Sequence, residues 1–131
     1  MTRREIRELI FKMIFRVEFH DEAEIPEQLR LFMDALDTAS EEDRDYIEHK
    51  SSDILAHLQE IDEIINTSAT GWKTSRMAKV DLSLIRLAVY EIRYEKLPKG
   101  IAINEAVELA KTYGTDQSAG FVNGVLARIH E

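Results

Sequence analysis

The sequence predicts an all-α fold, in which six or seven helices form two small helical bundles of three helices each, packed together. Apolar residues recur at helical spacing along most of the chain, and no segment shows a convincing strand pattern. Only five glycines and two prolines occur among the 131 residues, which favours long helices over strands and turns. The polar run at 66–71 is the best candidate boundary, so we expect one subdomain over residues 1–70 and a second over 71–131.

Three helix starts are visible in the first half of the chain. Thr2-x-x-Glu5 has the spacing of a capping box, so the first helix is expected to begin at Arg3. Pro26 suits the first turn of a second helix, and the run that begins at Ser40 has the residues of a third N-terminus. The third helix has a shorter apolar continuation, at Ile61, Ile64 and Ile65.

The second half contains the helix that we expect to be most buried, over about residues 81–95. Its apolar residues occupy nearly every side, which is typical of a central element. A turn over 97–100 leads to a helix that stops at Gly114, interpreted as a left-handed C-terminal residue. In the last helix, Gly120 and Gly124 each cost roughly 1 kcal/mol relative to alanine, so something other than helix stability placed them there.

Composition excludes several classes of protein. With 44% apolar residues the chain can form a core, yet no apolar run approaches the roughly 18 residues that span a membrane. Cysteine is absent, which excludes a disulfide framework and a thiolate metal site. Because the N-terminus shows no signal-peptide pattern, we expect a soluble cytoplasmic protein.

The net charge of −8 is unevenly distributed. Residues 1–70 contain 8 basic and 18 acidic side chains, whereas residues 71–131 contain 9 basic and 7 acidic ones. Within the first sixteen residues, five side chains are basic and two are acidic. An acidic protein does not bind nucleic acid indiscriminately, but a local positive surface of this kind would steer an anionic ligand to one place.

No constellation in the sequence supports enzyme chemistry. The pairs Asp45–His49 and Asp53–His57 have the i, i+4 spacing of metal ligands, but they share one acidic helix without a second contributing helix, which favours a solvated face. No serine occurs in a Gly-x-Ser-x-Gly context, and no glycine-rich phosphate loop is present. We therefore predict no catalytic residue, no metal and no cofactor.

Arg3, Arg4 and Arg7 occupy the first turns of a helix, where the macrodipole disfavours positive charge. Guanidinium groups match phosphates and base edges, so a binding role gains weight. The alternative is a solvated helix start in which Arg4 pairs with Glu8. The sequence alone leaves both interpretations open.

Three phenylalanines also have two interpretations. Phe11 and Phe15 project beside the arginines and belong either to the core or to a binding surface. Phe121, close to Gly120 and Asn123, is either a core residue or a platform for an RNA base, since unstacked bases are recognised by aromatic stacking and hydrogen bonds to their edges.

Two further cations have open roles. Lys111 is a candidate phosphate contact, or it pairs with Glu108. Arg86 is likewise a candidate phosphate contact, or it pairs with Asp81 or Glu91.

Several segments together resemble the NusB family of transcription antitermination factors. The specific ones are Ala-Ile-Asn-Glu-Ala-Val-Glu-Leu-Ala-Lys at 102–111 and Phe-Val-Asn-Gly-Val-Leu at 121–126. Val-Asp-x-x-x-Ile-Arg-Leu-Ala-x-Tyr-Glu at 80–91 and Arg-Arg-x-x-Arg-Glu at 3–8 agree with them. The resemblance spans nearly the whole chain, with a weak middle at about 20–60.

The resemblance implies a fold of two three-helix subdomains and a function without catalysis. Members bind a single-stranded boxA element of nascent ribosomal RNA transcripts together with a small-subunit ribosomal protein, called NusE in this role. The pair joins the RNA polymerase elongation complex through other Nus factors and suppresses premature termination. Some relatives form homodimers that cover the RNA surface, and no membrane is involved.

The resemblance also implies roles for individual residues. By position, the residues expected to bind RNA are Arg3, Arg4, Arg7, Phe121 and Asn123. Lys111 is added to this set because its charge suits a phosphate contact. The positions expected to face the ribosomal protein are Phe15 and Asp81.

The chain departs from some members of the family at two positions, and two other functions compete with RNA binding. Glu5 lowers the charge of the arginine cluster, and Gly120 stands where relatives often have lysine, so the departures predict weaker RNA affinity alone. One competing function is a purely protein-binding helical adaptor without RNA contact. The other, the RNA-binding part of an RNA cytosine methyltransferase, lacks a cofactor domain and a cysteine nucleophile here.

Overall fold

The computed structural model describes residues 1–131 and contains seven α-helices and no strand. The predicted all-α class and helix number are confirmed. Two short 3₁₀ helices, Glu22–Glu24 and Thr74–Arg76, lie between α-helices. The α-helices are α1 (Arg3–Val17), α2 (Ile25–Asp34), α3 (Glu41–Ala56), α4 (Leu58–Ser68), α5 (Lys79–Arg93), α6 (Lys99–Tyr113) and α7 (Ser118–Leu126).

The chain forms two compact units, Met1–Ala56 and His57–Glu131, which we call unit 1 and unit 2. The division lies between α3 and α4, whereas the sequence analysis placed it at residues 70–71. The reason is α4, which packs against α5 and therefore belongs with the C-terminal helices. Unit 1 thus has three α-helices and unit 2 has four.

In unit 1, each helix begins at the residues that the sequence indicated. Thr2 Oγ1 accepts a hydrogen bond from the Glu5 backbone N–H at 3.1 Å, and Ser40 Oγ accepts one from the Asp43 N–H at 3.1 Å. Pro26 lies in the first turn of α2. The apolar faces of α1, α2 and α3 meet in a core formed by Ile10, Phe11, Met13, Ile14, Val17, Phe32, Met33, Ile47 and Ile54.

Helix α5 is the centre of unit 2. Every residue from Asp81 to Ile92 is buried, and α4, α6 and α7 all pack against this helix. The prediction of a central, most buried helix is therefore confirmed. Its Arg86 is buried and forms a two-point ion pair with Asp62 of α4, with Nε to Oδ1 at 2.8 Å and Nη2 to Oδ2 at 2.7 Å.

The polar run at 66–71 lies inside unit 2, where it connects α4 to the 3₁₀ turn before α5. Gly71 adopts a positive φ of 90°, a conformation that glycine takes without steric cost. The Asn66 side chain accepts a hydrogen bond from the Thr74 backbone N–H at 2.8 Å and ties the start of this connection to its end. The run therefore forms an ordered turn that presents Trp72 at the surface.

Gly114 ends α6, but the predicted left-handed conformation is wrong. Its φ of −96° and ψ of −164° are extended, so the backbone itself does not require glycine. The lack of space does require glycine, because a Cβ here would lie 2.5 Å from the Ser118 Cβ and 2.9 Å from the Ala110 carbonyl oxygen. Ser118 is buried, and its hydroxyl accepts a hydrogen bond from the Thr115 backbone N–H at 2.9 Å.

None of the seven helices is both long and apolar enough to cross a lipid bilayer.

We predict that Gly114→Ala destabilises the protein by about 1–3 kcal/mol, the usual cost of forcing extra atoms into a packed site. Gly124→Ala is the matched control, because a Cβ there meets nothing within 4 Å. That control should gain up to about 1 kcal/mol from better helix propensity. Thermal melting of the two variants beside the parent measures both effects, and parent-like melting of Gly114→Ala would contradict the packing argument.

Candidate nucleic-acid interface

The arginine-rich start of α1 is an accessible cationic surface of unit 1. Arg3 and Arg4 are exposed and Arg7 is half-buried, within the first two turns of the helix. Arg3 and Arg7 share a face of the helix because they are four residues apart. Glu8, considered as the partner of Arg4, lies 3.4 Å from the Lys12 ammonium group. Three arginines thus occupy the first two turns of one helix.

Glu5 has a structural function within this cluster. Its side chain accepts a hydrogen bond from the Thr2 backbone N–H at 3.3 Å and completes the capping box that the sequence predicted. An acidic residue in the first turn also interacts favourably with the helix macrodipole. Glu5 thus offsets the unfavourable position of the three arginines, at the expense of one unit of local charge.

A row of phenylalanines leads along α1 from the core to the surface. Phe11 is 2% exposed and belongs to the core, which decides between its two interpretations. Phe15 is half-buried, with its ring centroid 6.1 Å from Phe11 and 5.0 Å from Phe19. Phe19 is 58% exposed and was not singled out in the sequence, although its i, i+4 spacing from Phe15 was visible. Phe15 therefore lies at the edge of an exposed aromatic surface.

Phe121 of α7 is half-buried and packs against Trp72. The two ring centroids are 5.2 Å apart and the ring planes meet at 77°, an edge-to-face arrangement. Asn123 is exposed but two residues further along the helix, so it lies on a different face from Phe121. The fold does not bring Phe121 and Asn123 together as the pair that the sequence suggested.

The remaining predicted site residues also lie in unit 2. Lys111 is exposed on α6, with its ammonium nitrogen 3.4 Å from Glu108, the pairing that the sequence offered as the alternative to phosphate. Asp81 lies in the first turn of α5 and is 9% exposed. Its Oδ1 atom is buried without a hydrogen-bond partner. Asp81 also lines a cavity beside Trp72 and Phe121.

Trp72 is the functional candidate that the sequence analysis missed. It is 54% exposed, although burying so large an aromatic side chain would normally stabilise a fold. A lone tryptophan directly after the candidate boundary was the available signal. Its contact with Phe121 was not visible, because the two residues are far apart in the sequence.

No group of three or more histidine or acidic side chains lies close enough together to hold a metal ion. His49 is exposed, and its Nδ1 lies 2.8 Å from the backbone carbonyl of Asp45, four residues earlier. With its all-α fold, basic helix start and partly exposed aromatic pairs, the chain has the surface features of a helical protein that binds partners.

Comparisons with known proteins identify the family of this chain. Residues 4–131 match the family model described as the NusB family. A transcription antitermination protein NusB from Agathobacter rectalis is 58% identical over 129 residues, which cover 98% of each chain. The chain belongs to the NusB family. The suspected resemblance is thereby confirmed, and the family is one of transcription antitermination factors and not of enzymes.

Solved structures agree with this assignment. T. maritima NusB superimposes with a TM-score of 0.84 at 34% identity, over 98% of this chain and 89% of that chain. A crystal structure of the antitermination factors NusB and NusE in complex with double-stranded RNA gives a TM-score of 0.82 at 25% identity. That match covers 95% of this chain and 92% of the other.

We predict that Phe121→Ala costs the fold only about 1–2 kcal/mol, since a half-buried ring loses less than the 3–5 kcal/mol of a core phenylalanine. Leu126→Ala, on the same helix and 0% exposed, is the matched control and should cost about 2–5 kcal/mol. Thermal and denaturant unfolding of both variants measure the difference. Equal destabilisation would make Phe121 a core residue.

Proposed function

We propose that this NusB family member binds a single-stranded boxA element in nascent ribosomal RNA transcripts together with the ribosomal protein NusE. The complex joins RNA polymerase through other Nus factors and suppresses premature termination. The observation that carries the proposal is the likeness, over 95% of the chain, to a NusB solved together with NusE and double-stranded RNA. Such a role belongs in the cytoplasm, where transcripts of this kind are made.

The charge distribution supports an RNA site that is small and local. The protein carries −8 overall, so most of its surface repels a polyanion. Arg3 and Arg4, which are exposed, and the half-buried Arg7 provide a cationic start of α1, and guanidinium groups bind phosphate through paired hydrogen bonds. Because so few cations are available, we expect weak binding of RNA by the protein alone and tighter binding with NusE.

Three further RNA contacts remain part of the proposal. Phe121 offers a ring face for stacking, Asn123 offers an exposed amide for base edges, and Lys111 offers an exposed ammonium group for phosphate. Lys111 is held only by an exposed pair with Glu108, and pairs of that kind contribute little. Exchange of Glu108 for a phosphate therefore costs little.

The competing function is a protein-binding adaptor without RNA contact. The partly exposed Phe15–Phe19 pair favours a protein partner, because aromatic side chains often dominate protein interfaces. This surface fits NusE in the proposed function, with Asp81 as the other position expected to face it. RNA binding that weakens as salt rises separates the proposed function from the adaptor, and a homodimer that covers the RNA surface would show as affinity that falls with protein concentration.

We predict that the double variant Arg4→Glu, Arg7→Glu loses detectable binding to a boxA oligoribonucleotide while keeping its helicity. Each lost phosphate contact should also lower the slope of log affinity against log salt by about 0.7 for a single strand. Gel-shift titrations at several salt concentrations, with and without NusE, measure both effects. Arg30→Glu, an exposed cation in the same unit, is the matched control and should bind as the parent does. Parent-like binding of the double variant would reduce the cluster to a solvated helix start.

We predict that Phe15→Asp weakens association with NusE by at least about 2 kcal/mol, or roughly thirtyfold, because it places a charge in an apolar contact. Calorimetric titration with purified NusE measures the change. Tyr46→Asp, an exposed aromatic of the same unit, is the control and should leave affinity unchanged. A folded Phe15→Asp variant with parent-like affinity would exclude this position from the interface.

A further inference from the structure

Trp72 is an exposed aromatic residue held in a defined position. The positive φ of Gly71 turns the chain just before it, and its own backbone N–H donates to the Ala69 carbonyl at 2.9 Å. The Asn66 side chain secures the turn from the other end through Thr74. These hydrogen bonds fix the backbone of the turn and hold the indole ring against Phe121. A ligand that binds the ring therefore causes little further loss of conformational entropy.

One groove at this aromatic pair has a floor of bare helix backbone. It has a volume of about 220 Å³ and is lined by Trp72, Phe121, Gly120, Gly124, Val125 and Arg128. Gly120 and Gly124 are four residues apart, so they lie on one face of α7. A Cβ at either position would meet nothing within 4 Å, so packing inside the protein does not require glycine at either site. The two glycines lower helix stability and leave room for something from outside.

The surroundings of the pair are cationic. Arg128 is exposed at the rim of the glycine groove. A second cavity of about 460 Å³ is also lined by Trp72 and Phe121, and its lining includes the exposed cations Lys73 and Arg76. Its one acidic lining residue is Asp81, which is 9% exposed. Aromatic rings with cations in both adjoining cavities complement a ligand that is flat and apolar in one part and anionic in the next.

We propose that Trp72 and Phe121 form a stacking site for one unpaired RNA base, which lies over Gly120 and Gly124 while Arg128 contacts the adjacent phosphate. Stacking on aromatic rings, with phosphates on flanking cations, is how proteins hold single strands. This inference rests on the proposed function and adds three participants to it, namely Trp72, Arg128 and the glycine floor. An apolar peptide side chain would use the rings but would gain nothing from the cations.

The experiment uses the intrinsic fluorescence of the protein, because Trp72 is its only tryptophan. A single-stranded boxA oligoribonucleotide, titrated with and without NusE, should quench the indole emission in parallel with the gel shift. Trp72→Ala should bind the same RNA at least about fivefold more weakly, and Trp72→Phe should retain most of the affinity. Tyr46→Ala, which removes a 47% exposed aromatic from unit 1, should bind as the parent does.

The glycine floor provides a second, independent test. Gly120→Ala and Gly124→Ala should melt at or above the parent temperature yet bind RNA at least about fivefold more weakly. Gly100→Ala, another open position at the start of α6, is the matched control and should leave binding unchanged. Arg128→Gln should lower the affinity for RNA. It should also lower the slope of log affinity against log salt by about 0.7, the value for one phosphate contact on a single strand.

The outcomes separate this inference from the function on which it rests. RNA binding by the parent that depends on Arg4 and Arg7, but survives Trp72→Ala without loss and leaves the indole emission unchanged, would overturn the stacking site alone. A Trp72→Ala variant that loses NusE and keeps RNA would assign the groove to the protein partner and equally overturn it. No RNA binding by the parent, with or without NusE, would overturn both. If Trp72→Ala unfolds, the stacking site is tested instead by the change in the parent's indole emission on RNA binding and by the RNA affinity of Gly120→Ala and Gly124→Ala.

Discussion

The burial of α5 on every side is the constraint on which the rest of unit 2 depends. A charge in the middle of such a helix needs a partner, because an isolated buried charge is very costly. Arg86 meets this requirement through Asp62, and the two-point geometry of a guanidinium and a carboxylate fixes the side of α4 that faces α5. The position of α4 then decides where the following turn runs.

The surface features of unit 2 follow from that arrangement. The turn after α4 leads into Gly71 and presents Trp72, while α7, packed on another side of α5, presents Phe121. The aromatic pair is therefore carried by elements that pack on α5, the most buried helix of unit 2. A binding site built on packed helices keeps its geometry better than one built on a free loop.

Much of the fold was predictable, because the start of a helix and its degree of burial depend on residues that are close together in the sequence. Thr2 with Glu5, Pro26 and Ser40 satisfy backbone groups within a few residues, so their effect needs no knowledge of the fold. The nearly all-round apolar pattern of α5 likewise indicates a central helix by itself. The same locality explains why the basic start of α1 could be singled out as a binding surface.

The features that escaped prediction depend on residues that are distant in sequence or on small changes of backbone angle. The break between α3 and α4 at His57 involves neither glycine nor proline, so it left no local signal, and the unit boundary was placed too far along the chain. Arg86 was interpreted either as a phosphate contact or as the partner of Asp81 or Glu91 on its own helix, and its ion pair with Asp62 of the preceding helix was not foreseen. Gly114 is required by the proximity of Ser118, which no turn rule anticipates.

The capping box of α1 sets an upper limit on how basic this protein can become at its N-terminus. A chain selected for tighter contact with a polyanion would gain charge by replacing Glu5, yet that acid closes the box with Thr2 and faces the positive end of the helix. Its removal would lose the hydrogen bond to Thr2 and a favourable interaction with the helix macrodipole, the latter worth about 0.3–1 kcal/mol at an exposed site. Cations added beyond the first turn, on other helices or on a companion protein would increase the attraction to a polyanion without this loss.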